Sequence, residues 1–158
     1  MDSRHLGPIA LEGGVGGGWM NTTVEIAGAS VPFRLEIDFP SKFDEGVVRK
    51  IDLALDALPD LEGLARQTIE TAAERPGSAP ALMFELWGAT SIEEPRIEDF
   101  LRQLRATQIT MLPDGGPGSL DRIVLAYRLE HSPTSGTATV RFREGIGAEL
   151  DPAPRVFS

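Results

Sequence analysis

A stretch of strict alternation at residues 31–39 constrains the fold of this chain more than any other feature of its sequence. Every odd-numbered residue in it is apolar, and every even-numbered one is proline or charged: Pro32, Arg34, Glu36 and Asp38. This period of two predicts a strand with one buried face. The run 20–27 alternates in the same way, and Gly28-Ala29-Ser30 supplies a turn, so the two runs predict a β-hairpin. Because proline has no N–H, Pro32 predicts an edge strand or a first position that tolerates proline.

Helical patterns follow the hairpin, and strand patterns then return. Apolar stripes at helical spacing predict helices over 42–57 and 60–74, and two shorter helices after Ser78 and from Pro95. Alternation predicts further strands at 107–112, 121–129 and 137–143. Strands, then helices, then strands, without βαβ alternation, predict an α+β fold. We expect an antiparallel sheet of five or six strands with three or four helices packed on one face.

The length of the chain favours a single domain over residues 1–158. A chain of this size can bury roughly 68–70% of its unfolded surface, which is enough for a core without disulfides or metals. Glycines are dense between residues 13 and 18, and we expect 1–18 to be a flexible N-terminal region. The proline-containing segment 151–158 predicts a loose tail.

Composition removes most of the groups that enzymes use. The chain has no cysteine, only two histidines (His5 and His131) and a formal net charge of -9. We therefore expect no metal, no cofactor and no catalytic residue. Acidity argues against nucleic acid as a partner, and no apolar run reaches the ~20 residues of a membrane span. No secretory signal is recognisable at the N-terminus, which predicts a cytoplasmic protein.

An acidic edge is the first of two charge patterns. It consists of Asp52, Asp56, Asp60 and Glu62. Asp52 and Asp56 lie four residues apart on the first predicted helix, where like charges mildly destabilise a helix. The edge is either a solvated face that aids solubility or a docking surface for a basic protein partner.

An arginine face is the second pattern. It consists of Arg122, Arg128, Arg141 and Arg143, which the alternation places on the outward side of two strands. Arginines at such positions either form cross-strand ion pairs with residues such as Glu36 and Asp38 or bind an anion.

Several segments resemble an uncharacterised family of small bacterial domains of unknown function. The similarity is carried by Ile97-Glu98-Asp99-Phe100-Leu101-Arg102-Gln103-Leu104, by Ile109-Thr110-Met111-Leu112-Pro113-Asp114-Gly115, by the hairpin Val24 to Phe39, and by the helix that contains Ala65-Arg66. It covers most of residues 19–145. Related small acidic bacterial domains include immunity proteins encoded beside secreted toxins, so the resemblance implies a toxin-neutralising role.

Two functional hypotheses follow from these patterns. The first is a non-enzymatic bacterial domain that binds another protein, in its sharpest form an immunity protein. The alternative is a domain that binds a small molecule or an anion, or an unrecognised hydrolase, with the arginine face as its site and the glycine run as a lid.

Overall fold

The computed structural model describes residues 1–13, 16–90, 92–114, 121–130, 136–143 and 147–150. His131 and the predicted tail 151–158 lie outside these residues. The expected α+β class is confirmed, with helices packed against a sheet. The strands are β1 Asp2–Ser3, β2 Gly7–Pro8, β3 Gly18–Ile26, β4 Ala29–Ile37, β5 Leu104–Met111, β6 Asp121–Leu129, β7 Ala138–Arg143 and β8 Gly147–Leu150. The α-helices are α1 Glu45–Asp56, α2 Leu58–Ala73, α3 Ala79–Gly88 and α4 Ile97–Gln103.

The main sheet has six strands in the order β3-β4-β5-β6-β7-β8, and β1 pairs with β2 in a separate small sheet. One neighbouring pair departs from the expected antiparallel arrangement. β4 and β5 run parallel, with Phe33 opposite Ile109 and Leu35 opposite Met111. The reason is that α1 to α4 lie between these two strands in the chain. A helical crossover of this kind carries the chain back to the end of the sheet where β4 begins, so β5 can run in the same direction as β4. A tight hairpin can join only antiparallel strands.

Pro32 lies in the interior of the sheet, so the expected edge position is wrong. β4 pairs with β3 on one side and β5 on the other. Within the β3 ladder Pro32 lies opposite Thr23, and the parallel pairing with β5 begins one residue later, at Phe33. Proline is tolerated here because its position falls just before the second ladder begins.

One face of the sheet carries the core, as the alternation predicts. The apolar residues that alternation places on that face are all buried: Phe33, Leu35, Ile37, Ile123, Leu125, Val140 and Phe142. The helices cover them with equally buried side chains, among them Ile51, Ile69 and Phe100. Helix α1 begins after Asp44, whose carboxylate accepts the Val47 N–H at 3.0 Å. Among the described residues, no helix has the length and apolar composition needed to cross a membrane.

The first thirteen residues contain two short paired strands and lie against the core. β1 and β2 pair antiparallel, and the Ile9 N–H donates to the Met1 carbonyl at 3.0 Å. Leu6, Ile9 and Leu11 are partly buried against the core. Burial of these apolar side chains stabilises the packing of this segment on the core. The glycine content of the sequence does not predict this packing. Positions 14 and 15 of the glycine run lie outside the described residues.

Candidate functional site

The N-terminal segment binds the helix that carries half of the acidic edge. The Ser3 hydroxyl donates to Asp52 Oδ1 at 2.5 Å, and the Arg4 backbone N–H lies 3.1 Å from the same oxygen. One helical turn further on, the Arg4 guanidinium donates to Asp56 at 2.8 Å, and His5 Nε2 lies 2.7 Å from Asp56 Oδ1. Two carboxylates of the acidic edge therefore already have partners within the chain.

Asp52 is an internal carboxylate, which corrects its expected place on an exposed docking surface. It is only 6% exposed. Its burial alone would raise the pKa, but the hydrogen bonds from Ser3 and from the Arg4 backbone outweigh burial and lower the pKa. The pKa of Asp56 is also lowered, chiefly by its hydrogen bond with His5 and then by that with Arg4. Both carboxylates are held in the ionised form by the N-terminal segment.

We expect Asp52→Asn to destabilise the protein by about 1–3 kcal/mol at neutral pH, because it weakens the acceptor for Ser3 and Arg4. A lowered folded-state pKa means that the stabilisation is present above the ordinary carboxyl pKa of about 4 and is lost as the pH falls through the lowered value. The deficit of the variant should therefore shrink as the pH falls from about 5 towards about 2. Urea unfolding of both proteins across this pH range measures the difference.

Asp60→Asn is the matched control for this measurement. Asp60 is exposed, and it makes no hydrogen bond or ion pair within the described residues. Its replacement should leave both the stability and its pH dependence close to wild type. Equal curves for Asp52→Asn and Asp60→Asn would show that the N-terminal segment does not depend on the Asp52 charge.

A cleft of about 700 Å³ lies where the tip of the β3–β4 hairpin meets the α1–α2 junction. Its apolar lining comes from Val24, Ile26, Leu55 and Leu58. Its charged and titratable lining comes from His5, Glu25, Asp56 and Glu62. Three carboxylates thus accompany a single imidazole. No lysine or arginine is among the described lining residues, but Asp56 is paired with Arg4 and Glu62 with Arg66 beside the cleft. We call this site the acidic cleft.

Glu25 lines the acidic cleft at the hairpin tip, and alternation along β3 turns its side chain to the face opposite that of Val24 and Ile26. It is exposed on β3 and makes no hydrogen bond or ion pair within the described residues. The turn beside it is formed by Ala27 and Gly28, whose φ angles are 50° and 81°. Two left-handed residues in succession define a tight hairpin turn. Glu25 therefore lies beside a tight turn at the end of the hairpin.

Glu62 is anchored inside the molecule as well as lining the cleft. Its carboxylate lies 2.5 Å from Arg66 Nε, and the Arg66 guanidinium donates to the carbonyls of Leu101 and Leu104 at 2.7 and 3.0 Å. Arg66 also lies 5.5 Å from the centre of the Tyr127 ring. Burial, and then the charge of Glu62, raise the pKa of the Tyr127 phenol. Arg66 thus ties α2 to the end of α4 and fixes Glu62.

The acidic edge is therefore divided by the fold. Asp56 and Glu62 come together with Glu25 in the acidic cleft, while Asp52 is buried and Asp60 is exposed outside the cleft lining. Sequence reasoning missed Glu25, Arg4 and His5 as members of this region. Arg4 and His5 lie about 50 positions from their carboxylates, and no local pattern in the sequence links segments so far apart.

The arginine face is also divided. Arg128 is exposed, lies opposite Arg105 and donates to the Thr137 hydroxyl at 2.9 Å. Arg141 lies opposite Val124 and engages in a further interaction. Arg143 ends β7. Arg122 falls at a register shift between β6 and β7, and it lines a second groove instead of continuing the row.

This second groove has a volume of about 470 Å³. Lys50 and Arg122 line it together with Asp114 and the apolar side chains of Met111 and Phe142. Asp114 accepts the backbone N–H groups of Asp38 and Phe39. Anion binding by the arginines stays a prediction, and the register shift at Arg122 interrupts the row that alternation predicts.

Within the described residues, no group of three or more histidine, cysteine, aspartate or glutamate side chains is arranged to hold a metal ion. Comparisons of the chain with protein-family models, curated proteins and solved structures find no match. The fold and site define an α+β protein in which a hairpin tip, an ordered N-terminal segment and a helix junction enclose an acidic cleft.

Proposed function

We propose that this chain is a protein-binding domain without catalytic activity, and that its partner presents a basic side chain to the acidic cleft. The observation that carries the proposal is the grouping of Glu25, Asp56 and Glu62 around an apolar floor. In its sharpest form the domain is a bacterial immunity protein that neutralises a toxin, which the family resemblance supports.

The chemistry of the cleft suits a lysine or arginine of a partner. Such side chains place an apolar stem against hydrocarbon while the charged head stays near carboxylates or water. Leu55 and Leu58 supply the hydrocarbon, and Glu25 supplies a carboxylate that makes no ion pair within the described residues, whereas Asp56 is already paired with Arg4 and His5. Complementary charge of this kind mainly speeds association and fixes orientation, and its effect weakens with salt.

The arrangement around His5 supports binding over hydrolysis. A catalytic serine needs its hydroxyl proton to face a general base. Ser3 is only 4% exposed, its hydroxyl donates to Asp52 and not to the His5 ring, and its oxygen accepts the backbone N–H groups of His5 and Leu6 at 3.2 and 3.1 Å. Ser3 therefore has the contacts of a structural residue that closes a turn.

We expect Glu25→Lys to slow association with the partner about tenfold at low ionic strength, because it reverses the unpaired charge at the mouth of the cleft. Partners would be captured from a lysate of the encoding organism and identified by mass spectrometry. Surface plasmon resonance against the purified partner would then compare variants at low and high salt. Asp60→Lys is the matched control, because it reverses a carboxylate of the acidic edge that does not line the cleft.

Equal slowing by Glu25→Lys and Asp60→Lys would assign the effect to overall charge and reject the cleft as the site. An association rate equal to wild type in Glu25→Lys would contradict the proposal outright. The immunity role has its own test, since the adjacent gene should encode a toxin whose expression is lethal without this chain and tolerated with it.

A further inference from the structure

Alternate residues of β3 direct their backbone N–H and C=O groups towards β4 or towards the open edge of the sheet, and two observations show which residues do which. The Trp19 N–H donates to the Glu12 carbonyl at 2.9 Å, and the Glu12 N–H donates to the Trp19 carbonyl at 2.7 Å. Glu12 lies on the side of β3 opposite β4. Because backbone groups alternate sides along a strand, the odd-numbered residues of β3 direct their N–H and C=O groups away from β4.

The hairpin turn independently shows which residues of β3 face β4. Ile26 and Ala29 flank the two-residue turn, and the pair that closes such a turn exchanges both of its hydrogen bonds. Even-numbered residues of β3 therefore face β4. The N–H and C=O groups of Asn21, Thr23 and Glu25 face outward, and no described residue supplies a hydrogen bond to them.

This edge has few of the features that commonly prevent strand addition, its one charged side chain being Glu25. Natural edge strands are blunted by charged side chains, lysine above all, by proline, by bulges, by very short length or by a covering segment. β3 is nine residues long, it contains neither proline nor lysine, and it pairs with β4 without a register shift. Glu12 covers only the position of Trp19. The three exposed residues that follow form a regular template for another strand.

We propose that β3 binds its partner by strand addition, with an extended basic segment of the partner pairing along Asn21, Thr23 and Glu25. The basic character of that segment rests on the proposed function. Residues 23–26 belong both to this edge and to the lining of the acidic cleft. An added strand supplies main-chain hydrogen bonds to the edge, and its alternate side chains provide specificity. A lysine or arginine at one of these positions lies close to Glu25 and the cleft.

Thr23→Pro tests this proposal by removing a single backbone N–H group. Thr23 lies opposite Pro32. As an odd-numbered residue of β3, it directs its N–H outward, so this N–H does not take part in the ladder with β4. Proline at this position removes an outward-facing donor and leaves the hydrogen bonds of the hairpin in place. Thr23→Val is the matched control, because valine keeps both the N–H and the β-branched shape.

The probe is a phage-displayed library of random twelve-residue peptides selected on the wild-type protein. Enriched peptides, made synthetically, should be basic and should alternate in character along the chain. We expect their Kd to weaken about tenfold for Thr23→Pro and to stay within about twofold for Thr23→Val. Circular dichroism and urea unfolding check that both variants are folded.

Amide hydrogen exchange on the wild-type protein gives a readout that does not depend on any variant. The amides of Asn21, Thr23 and Glu25 should exchange fast in the free protein, because they face solvent at the edge. Bound peptide should slow them about tenfold or more, while Thr22 and Val24 are protected in both states.

Strand addition is overturned if the library yields no binder, if the peptides bind Thr23→Pro as tightly as Thr23→Val, or if the three amides are not slowed. The two proposals fail in different ways. Sensitivity to Glu25→Lys without sensitivity to Thr23→Pro keeps the basic partner and rejects strand addition. Sensitivity to Thr23→Pro with peptides that are not basic keeps strand addition and rejects the proposed charge preference.

Discussion

Phe100→Ala is expected to lower the free energy of unfolding by about 3–5 kcal/mol, through the loss of apolar burial and the cavity left behind. The ring is fully buried at the centre of an aromatic cluster. It meets the Phe84 ring edge-on with centroids 5.3 Å apart, and the Trp87 ring at 5.8 Å. Helix α4, which carries Phe100, has only seven residues, and Phe100 is its one fully buried side chain. Urea unfolding followed by circular dichroism measures the effect.

Leu82→Ala is the comparison for this variant. Leu82 lies on α3, the helix that carries Phe84 and Trp87, but is 44% exposed. Its truncation should change the unfolding free energy by about 0.5 kcal/mol or less. If Phe100→Ala moves the unfolding midpoint no further than Leu82→Ala does, the aromatic cluster does not anchor α3 and α4 to the sheet.

Leu35→Ala should cost about 2–5 kcal/mol, and it probes the register of the sheet. Leu35 is fully buried in β4, opposite Met20 of β3 and Met111 of β5. A slip of one residue would turn the charged neighbours of Leu35 into the core, so the buried leucine helps to fix which face points inward. The measurement is the shift of the urea midpoint at constant slope.

Glu36→Ala serves as the control on the opposite face of β4. Glu36 is partly exposed, and its carboxylate pairs with Arg34 at 2.8 Å. Exposed ion pairs contribute about 0–1 kcal/mol, so this change should be small. An unchanged midpoint in Leu35→Ala would be incompatible with the buried face described for β4.

Much of the fold could be predicted because strand alternation is a local signal. The buried face of β4 and the whole of β6 follow from their own residues. The parallel pairing of β4 with β5 does not, because it depends on how the intervening helices pack. The interior location of Pro32 could not be predicted for the same reason, because a prediction would need to know where the pairing of β4 with β5 begins.

The candidate site was less predictable than the fold. Spacing along α1 correctly groups Asp52 with Asp56, but it cannot show that one is buried beneath Ser3 and the other is bound by Arg4. Glu25 enters the acidic cleft only because the hairpin tip reaches the α1–α2 junction. Arg122 leaves its expected row through a register shift, which alternation alone assumes to be absent.

The parallel pairing of β4 with β5 also affects the order and the rate of folding steps. The β3–β4 hairpin and the β5–β6–β7 meander each form between neighbours in sequence, so both can close early at small entropic cost. Joining them requires Phe33 to meet Ile109 across all four helices. Contacts of such long range slow folding. Until that step is complete, two preformed sheet fragments present unpaired edges, and this interval is when the chain is most exposed to association with other copies of itself.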